Sequence, residues 1–231
     1  TKRSSRYFWS GILKSMNIKV TIKSSKDLLI PEKGSLLMIA NHPFGIIDGL
    51  IMCSLASKVR ADFKIMTHET LRFAPELDKF ILPIDFNEND KETIKKNIQT
   101  TKKAREHLMN KGLLIIFPSG SVSVAKSLKS EPSDEEWKQF TAKLIKQTKT
   151  DVLPVYFDGK NGFLFHIFAS KLKNQTLKYS SYIHETKKMI GKEINFYPGN
   201  VIKYSDLSKI SNREKLTEYL KKKTYELRNK K

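Results

Sequence analysis

Asn41, His42, Pro43, Phe44, Gly45 and Asp48 fall within one nine-residue stretch, NHPFGIIDG, which directly follows the apolar run SLLMIA. An imidazole and a carboxylate this near in sequence are the parts of a base with its orienting acid. The carboxylate accepts the proton on one ring nitrogen, fixes the tautomer and leaves the other nitrogen to deprotonate a hydroxyl. On an uninterrupted helix, residues six apart point about 120° away from each other, at about 100° per residue. The pair meets only if the chain turns between them, and Pro43 and Gly45 permit that turn. The plainer reading of the same residues is a polar turn in which Asp48 serves the N-terminus of the next helix.

A second stretch, IIFPSGSVS at 115–123, closes another apolar run. Phe117 and Pro118 end the run and Gly120 lets backbone approach a ligand, while Ser119, Ser121 and Ser123 offer hydroxyls and amides to an anion or a developing oxyanion. The alternative is a Ser-rich turn with hydroxyls satisfied locally. Elsewhere the chemistry is thinner. His68 reads as a surface residue at a strand end, and His107 and His184 sit in lysine-rich segments and read as solvated. Phe163, Phe165 and Phe168 around His166 read as core or membrane contact, and Cys53 as a small buried apolar residue. No spacing of Cys and His fits zinc, and no glycine pattern fits a nucleotide, so neither metal nor cofactor is expected.

The elements that must position these residues follow from the hydrophobic period. Short apolar runs at 35–40, 62–66, 80–84, 113–117, 152–157 and 194–197 read as strands. Longer amphipathic segments at 4–16, 46–58, 89–110, 134–147 and 212–228 read as helices, two of them opening on Ser133 to Glu136 and Ser211 to Glu214 as capping boxes, with Gly112 closing the long one. Continuous apolar strands alternating with helices predict an α/β fold. It is a single-domain sandwich with a mostly parallel central sheet flanked by helices. Residues 1–20 form a separate amphipathic helix whose Phe8, Trp9, Ile12, Leu13 and Met16 suit either an anionic membrane surface or a protein core, and 21–231 form the main domain.

Lys and Arg number 43 against 24 Asp and Glu among 231 residues, a formal charge of +19, so an anionic partner is expected: a phospholipid surface, nucleic acid or an acidic carrier protein. Only seven of those cations are Arg. Specific phosphate and base recognition leans on the bidentate guanidinium, so no specific nucleic acid is expected. Every apolar run is far shorter than the roughly 20 residues of a spanning helix. No leader with a cleavage site follows Thr1, and the lone Cys53 fits a reducing compartment. The opening Thr in place of Met leads to the expectation of a longer native chain with room for an anchor.

NHPFGIIDG followed by IIFPSGSVS resembles the paired motifs of the glycerolipid and lysophospholipid acyltransferase superfamily, the lysophosphatidic acid acyltransferases and their relatives. The likeness runs on through RADFKIMTHETL, FILPIDF and VLPVYFDGKNGFLFH and so spans about 30–202. In the family the His and Asp stand one residue closer together, and the second motif reads FPEG followed by Thr, Arg and Ser. Here Ser119 replaces the Glu, Val122 replaces the Arg, and Phe86 stands where many members have another Arg. The pattern is nearer the branch labelled hemolysin-like or lyso-ornithine-lipid acyltransferases, where NHPxGxxDG and FPxGxxS are typical. Without those guanidinium groups, either Lys64, Lys126 or Lys129 supplies the charge for a phosphate, or the acceptor is not a simple phosphate.

The resemblance implies an O-acyltransferase of membrane lipid biosynthesis with His42 as general base and Asp48 as its orienter. Asn41, Pro43, Phe44, Gly45, Lys64, Phe117, Pro118, Ser119, Gly120, Ser121 and Ser123 are then the substrate-binding set. The donor is an acyl-CoA or acyl carrier protein thioester, and the acceptor a lysophospholipid, lysophosphatidate or lyso-ornithine lipid. No cofactor is implied, and the place is the cytoplasmic side of a bacterial inner membrane, as a peripheral protein. The competing reading is a non-catalytic basic module that binds nucleic acid or an anionic membrane surface.

Overall fold

The computed structural model describes residues 2–23, 29–69, 77–85, 90–125, 130–162, 165 and 175–229. In chain order these form α1 (Lys2–Ser15), β1 (Lys19–Ile22), β2 (Leu36–Ala40), α2 (Ile46–Val59), β3 (Lys64–His68), β4 (Ile81–Ile84), α3 (Lys91–Met109) and β5 (Leu113–Ile116). There follow α4 (Phe140–Thr148), β6 (Asp151–Asp158), α5 (Gln175–Lys188), β7 (Glu193–Pro198), α6 (Tyr204–Leu207) and α7 (Arg213–Glu226). The seven strands make one sheet in the order β1-β7-β6-β2-β5-β3-β4. β6, β2, β5, β3 and β4 run parallel, whereas β7 pairs antiparallel with β6 and β1 follows β7. The fold is the expected α/β sandwich with a mostly parallel sheet.

Side chains alternate between two buried faces. Leu36, Met38 and Ala40 of β2 meet Trp9 and Leu13 of α1 and Ile47, Ile51 and Met52 of α2. Leu37 and Ile39 meet Ala104 and Leu108 of α3, Leu144 and Ile145 of α4 and Leu216 and Leu220 of α7. A strand covered on both sides has no polar face to show, which is why these runs read as continuously apolar. β1 escaped the period because it is an edge strand whose Lys19 and Thr21 interrupt the apolar positions. The structure buries Trp9 and Leu13 of the α1 stripe in the core. Trp9 stands edge-on to Phe63 and Phe80, at 6.0 and 5.7 Å between centroids, while Tyr7 and Phe8 point outward. No helix among the described residues is long and apolar enough to cross a membrane.

Helix starts depart from expectation where a polar side chain has another partner. α4 begins at Phe140 rather than 134, because Ser133 pairs with Val124 in an isolated bridge and the Asp134 carboxylate bonds away from the helix. α7 is capped by Asn212, whose side chain accepts from the Lys215 amide at 3.0 Å, not by Ser211. After α3, Lys111 takes the left-handed φ of 62°, and Gly112 is needed for a close approach: a Cβ there would lie 2.4 Å from the His107 ring. His107 is half-buried, not solvated, with Nε2 2.9 Å from the Leu113 carbonyl, and burial first of all lowers its pKa.

For the site the decisive register is Ile39 beside Ile116 in the β2–β5 pair. Both strands end at the same edge, so the segments that leave them, 41–45 and 117–124, lie side by side at the carboxyl edge of a parallel sheet. Ligand sites of open α/β sheets form at that edge.

Candidate active site

β2 ends at Ala40, and the chain runs through Asn41 and His42 before Gly45 turns it into α2. Gly45 has φ 70° and ψ −115°, a conformation that a Cβ disfavours, and a Cβ there would lie 3.3 Å from Val122. The turn folds Asp48 back on its own approach. Oδ2 accepts from the Phe44 amide at 2.8 Å and the Gly45 amide at 3.0 Å, and lies 3.1 Å from His42 Nδ1. The two readings of NHPFGIIDG are therefore both realised: one carboxylate oxygen caps the start of α2 and faces the imidazole.

Asp48 is fully buried, and the His42 side chain keeps 18% of its surface. Burial pushes the Asp48 carboxyl up from its ordinary range, while the bond and charge of His42 and the two amides hold it back. Asp48 Oδ1 has no hydrogen-bond partner. An ionised Asp48 accepts a hydrogen bond from Nδ1–H, which leaves the Nε2 lone pair for a hydroxyl. Phe117 covers one face of the imidazole, stacked at 3.9 Å between centroids and 23° between planes.

The second motif folds mostly on itself. Ser119 is buried and its hydroxyl donates to the Ser121 carbonyl at 2.7 Å. The Gly120 amide donates to Phe117 at 3.0 Å, the Ser123 amide to the His42 carbonyl at 2.9 Å, and the Ser121 amide leans on the Ser119 hydroxyl. The Gly120 and Ser121 amides are engaged within the turn and the Ser123 amide crosses to His42, so the expected anion cradle is not built from these three. Ser121 reaches Glu135 at 3.3 Å, and Gly120 holds φ 70°.

Of the expected substrate-binding set, Phe117, which stacks on His42, and Gly120 and Ser121 keep part of their surface open. Pro43, Phe44, Gly45, Pro118, Ser119 and Ser123 are buried and frame the turn. Phe44 lies so close to Gly159 that a Cβ there would fall 2.1 Å from the ring. Asn41 is buried with its amide engaged at both ends by Phe157, donating to the carbonyl at 2.9 Å and accepting from the amide at 2.7 Å. It straps β2 to β6 rather than facing a ligand.

Lys64 is a correction. It is level with Leu114 and hence with Leu37, at the amino end of the sheet, roughly 16 Å of strand from His42 at about 3.3 Å per residue. Its ammonium donates to the Lys79 carbonyl at 2.8 Å, and burial, then Lys103, lowers its pKa. Lys126, Lys129, Phe86, Phe163, His166 and Phe168 lie outside the described residues. His68 stands at the carboxyl end of β3, 3.9 Å from Asp85. Cys53 is buried, and burial pushes its thiol up.

Asp134 is the residue the sequence reading missed. It is buried, and its Oδ1 accepts from the His42 amide at 3.1 Å and from the Ser123 hydroxyl. In sequence it follows a Ser- and Lys-rich loop and looks like a helix start. The weak signal was the Asp134–Trp137 pair, which bonds Nε1 to Oδ2 at 2.7 Å.

The sequence model of the acyltransferase family matches residues 6–231. The chain is 26% identical over 175 residues to lyso-glycine lipid O-acyltransferase of Phocaeicola vulgatus, across 75% of this chain and 59% of that protein. It is 27% identical to the protein of the same name from Bacteroides thetaiotaomicron, across 75% and 60%. The chain thus spans less than two thirds of the length of either curated relative. The crystal structure of the 1-acyl-sn-glycerophosphate acyltransferase PlsC from Thermotoga maritima shares the fold, with a TM-score of 0.60 at 15% identity over 99% of this chain and 78% of that one. With the match running from within α1 to the last residue, this chain belongs to the acyltransferase family.

Proposed function

We propose that the protein moves a fatty acyl group from an acyl-CoA or acyl carrier protein thioester onto a hydroxyl of a lysolipid. The observation that carries this reading is the 3.1 Å contact of His42 Nδ1 with buried Asp48 Oδ2, at the sheet's carboxyl edge in a chain of the acyltransferase family. Nε2 removes the hydroxyl proton as the oxygen attacks the thioester carbonyl. Asp48 stabilises the imidazolium so formed. The C–S bond then breaks, and the departing thiolate takes the proton back from His42. No group beyond the two substrates is needed for this balance. A positioned base contributes ~10² to 10⁴ in rate, and placement of the reactants contributes the larger share of what remains.

The acceptor we favour carries an amino-acid head group rather than a phosphomonoester. Val122, at the position of the family's Arg, is buried against Gly45, and Lys64 is far from His42. Both curated relatives are named for a lyso-glycine lipid. The basic surface suits docking on an anionic leaflet, on the cytoplasmic side of the membrane.

The test is thiol release by the purified full chain with an acyl thioester and a panel of lyso-glycine lipid, lyso-ornithine lipid and lysophosphatidate. His42→Ala is expected to lose at least ~10² in turnover while staying folded. A folded variant with near-normal transfer overturns the mechanism, and a clear preference for lysophosphatidate overturns the acceptor. A wild-type chain that binds nucleic acid and releases no thiol with any acceptor would favour the non-catalytic basic module.

A further inference from the structure

We propose that Asp134 is a positioning residue for His42, an inference that rests on the acyl-transfer reading above. A general base works only if its nitrogen is held within a fraction of an ångström of the proton it takes. Asp48 controls Nδ1 and Phe117 one face of the ring, but neither holds the main chain from which the ring hangs. That task falls to residues beyond β2. The His42 amide donates to Asp134 Oδ1 at 3.1 Å, and the His42 carbonyl accepts from the Ser123 amide at 2.9 Å. Both backbone polar groups of the catalytic position are thus pinned from outside their own strand.

Asp134 also ties the two partners together. The Ser123 hydroxyl donates to the same Oδ1 that takes the His42 amide. Its Oδ2 takes the Trp137 indole at 2.7 Å. Burying a carboxylate is costly unless donors surround it, and here three neutral donors converge on one that is only 4% exposed. The residue is itself held. Its amide donates to the Tyr225 hydroxyl at 2.8 Å, and Lys221 donates to the carbonyls of Asp134 and Glu135 at 2.9 Å each. A fixed anchor on α7 thus reaches the main chain of His42 through one side chain. The Val124–Ser133 bridge closes the intervening loop, which places Asp134 beside Ser123 although 11 positions separate them.

Four full-length proteins test this: wild type and the variants Asp134→Ala, Asp134→Asn and Tyr225→Phe, each assayed for thermal unfolding, kcat and KM. The nitrogen resonances of the His42 imidazole are read by NMR in the same samples. Asp134→Ala should lower kcat by about 10²-fold with a far smaller change in KM, and should shift the imidazole resonances. Asp134→Asn should recover part of the rate, because its amide oxygen still accepts from the His42 amide. Tyr225→Phe removes the hydroxyl that accepts from the Asp134 amide but leaves the carboxylate its bonds to His42, Ser123 and Trp137, so it should lower the unfolding temperature and leave the resonances in place. Activity that falls in both Asp134→Ala and Tyr225→Phe only with the folded fraction overturns the proposal, as do unmoved imidazole signals in folded Asp134→Ala. If His42→Ala is as active as wild type, the acyl-transfer reading falls, and the imidazole resonances still decide whether Asp134 holds the ring.

Discussion

Asp48 places two duties on one carboxylate: it caps α2 through the Phe44 and Gly45 amides and faces the His42 ring. Its cost is the burial of a charge. Because burial raises its folded pKa above the ordinary 3.8, the stability it contributes is full below that value and is lost as pH rises through the folded value. Asp48→Asn removes this decline, so the difference in unfolding temperature between variant and wild type should grow in the variant's favour across that window. Acyl transfer should move the opposite way, falling by about 10²- to 10⁴-fold as the imidazolium loses its counter-charge. Parallel thermal scans and kcat measurements from pH 4 to pH 8 check both signs, and a difference in unfolding temperature that does not grow in the variant's favour as pH rises contradicts the account. The pairing itself was readable from NHPFGIIDG, since Pro43 and Gly45 announce a turn. Burial of Asp48 was not readable, because it depends on what packs over the turn.

At the scale of elements, the end of the sheet opposite His42 is closed by Arg60, which follows α2. Its guanidinium donates to the Gly34 carbonyl at 2.6 Å, ahead of β2, and to the Lys111 carbonyl at 2.5 Å, ahead of β5. It also forms a fork with Asp62, ahead of β3, at 2.8 and 2.5 Å. Three strand entries are thereby held by one buried side chain. Arg60→Ala removes the buried guanidinium that ties the three entries together, so it should destabilise by about 2 kcal/mol in a urea titration. Arg60→Lys should restore little, since an ammonium cannot reproduce the planar fork. Transfer per folded molecule should stay unchanged, because these contacts lie at the far edge of the sheet. Arg60 looked like any surface cation in the sequence, since nothing local reveals that the distant Gly34 and Lys111 carbonyls converge on it beside Asp62.

The whole molecule carries +19, spread largely over exposed lysines. Each cation near an anionic leaflet contributes about 1 kcal/mol, and the attraction decays within a Debye length of about 8 Å at physiological salt. Co-sedimentation with anionic vesicles should therefore be strong at low salt, fall steeply as salt is raised, and be weak with neutral vesicles. Binding that ignores both salt and lipid charge rules out an electrostatic surface role. The structure modifies one part of this picture: Trp9 and Leu13 of α1 are buried in the core and so unavailable to a membrane in this conformation.

The amino-acid sequence alone determined six of the seven strands found among the described residues, the α/β class and the pair His42 and Asp48, because hydrophobic period and turn chemistry are local properties. It could not decide that Lys64 faces the wrong end of the sheet, which follows from strand register, or that Asn41 would strap β2 to β6. Nor could it decide that the Ser119 hydroxyl would turn inward, or that Asp134, read as the start of a helix, would reach back to hold His42. Those outcomes depend on which buried polar group finds which partner. A buried donor or acceptor must be satisfied by whatever the fold brings within reach, so only the tertiary structure assigns the bond.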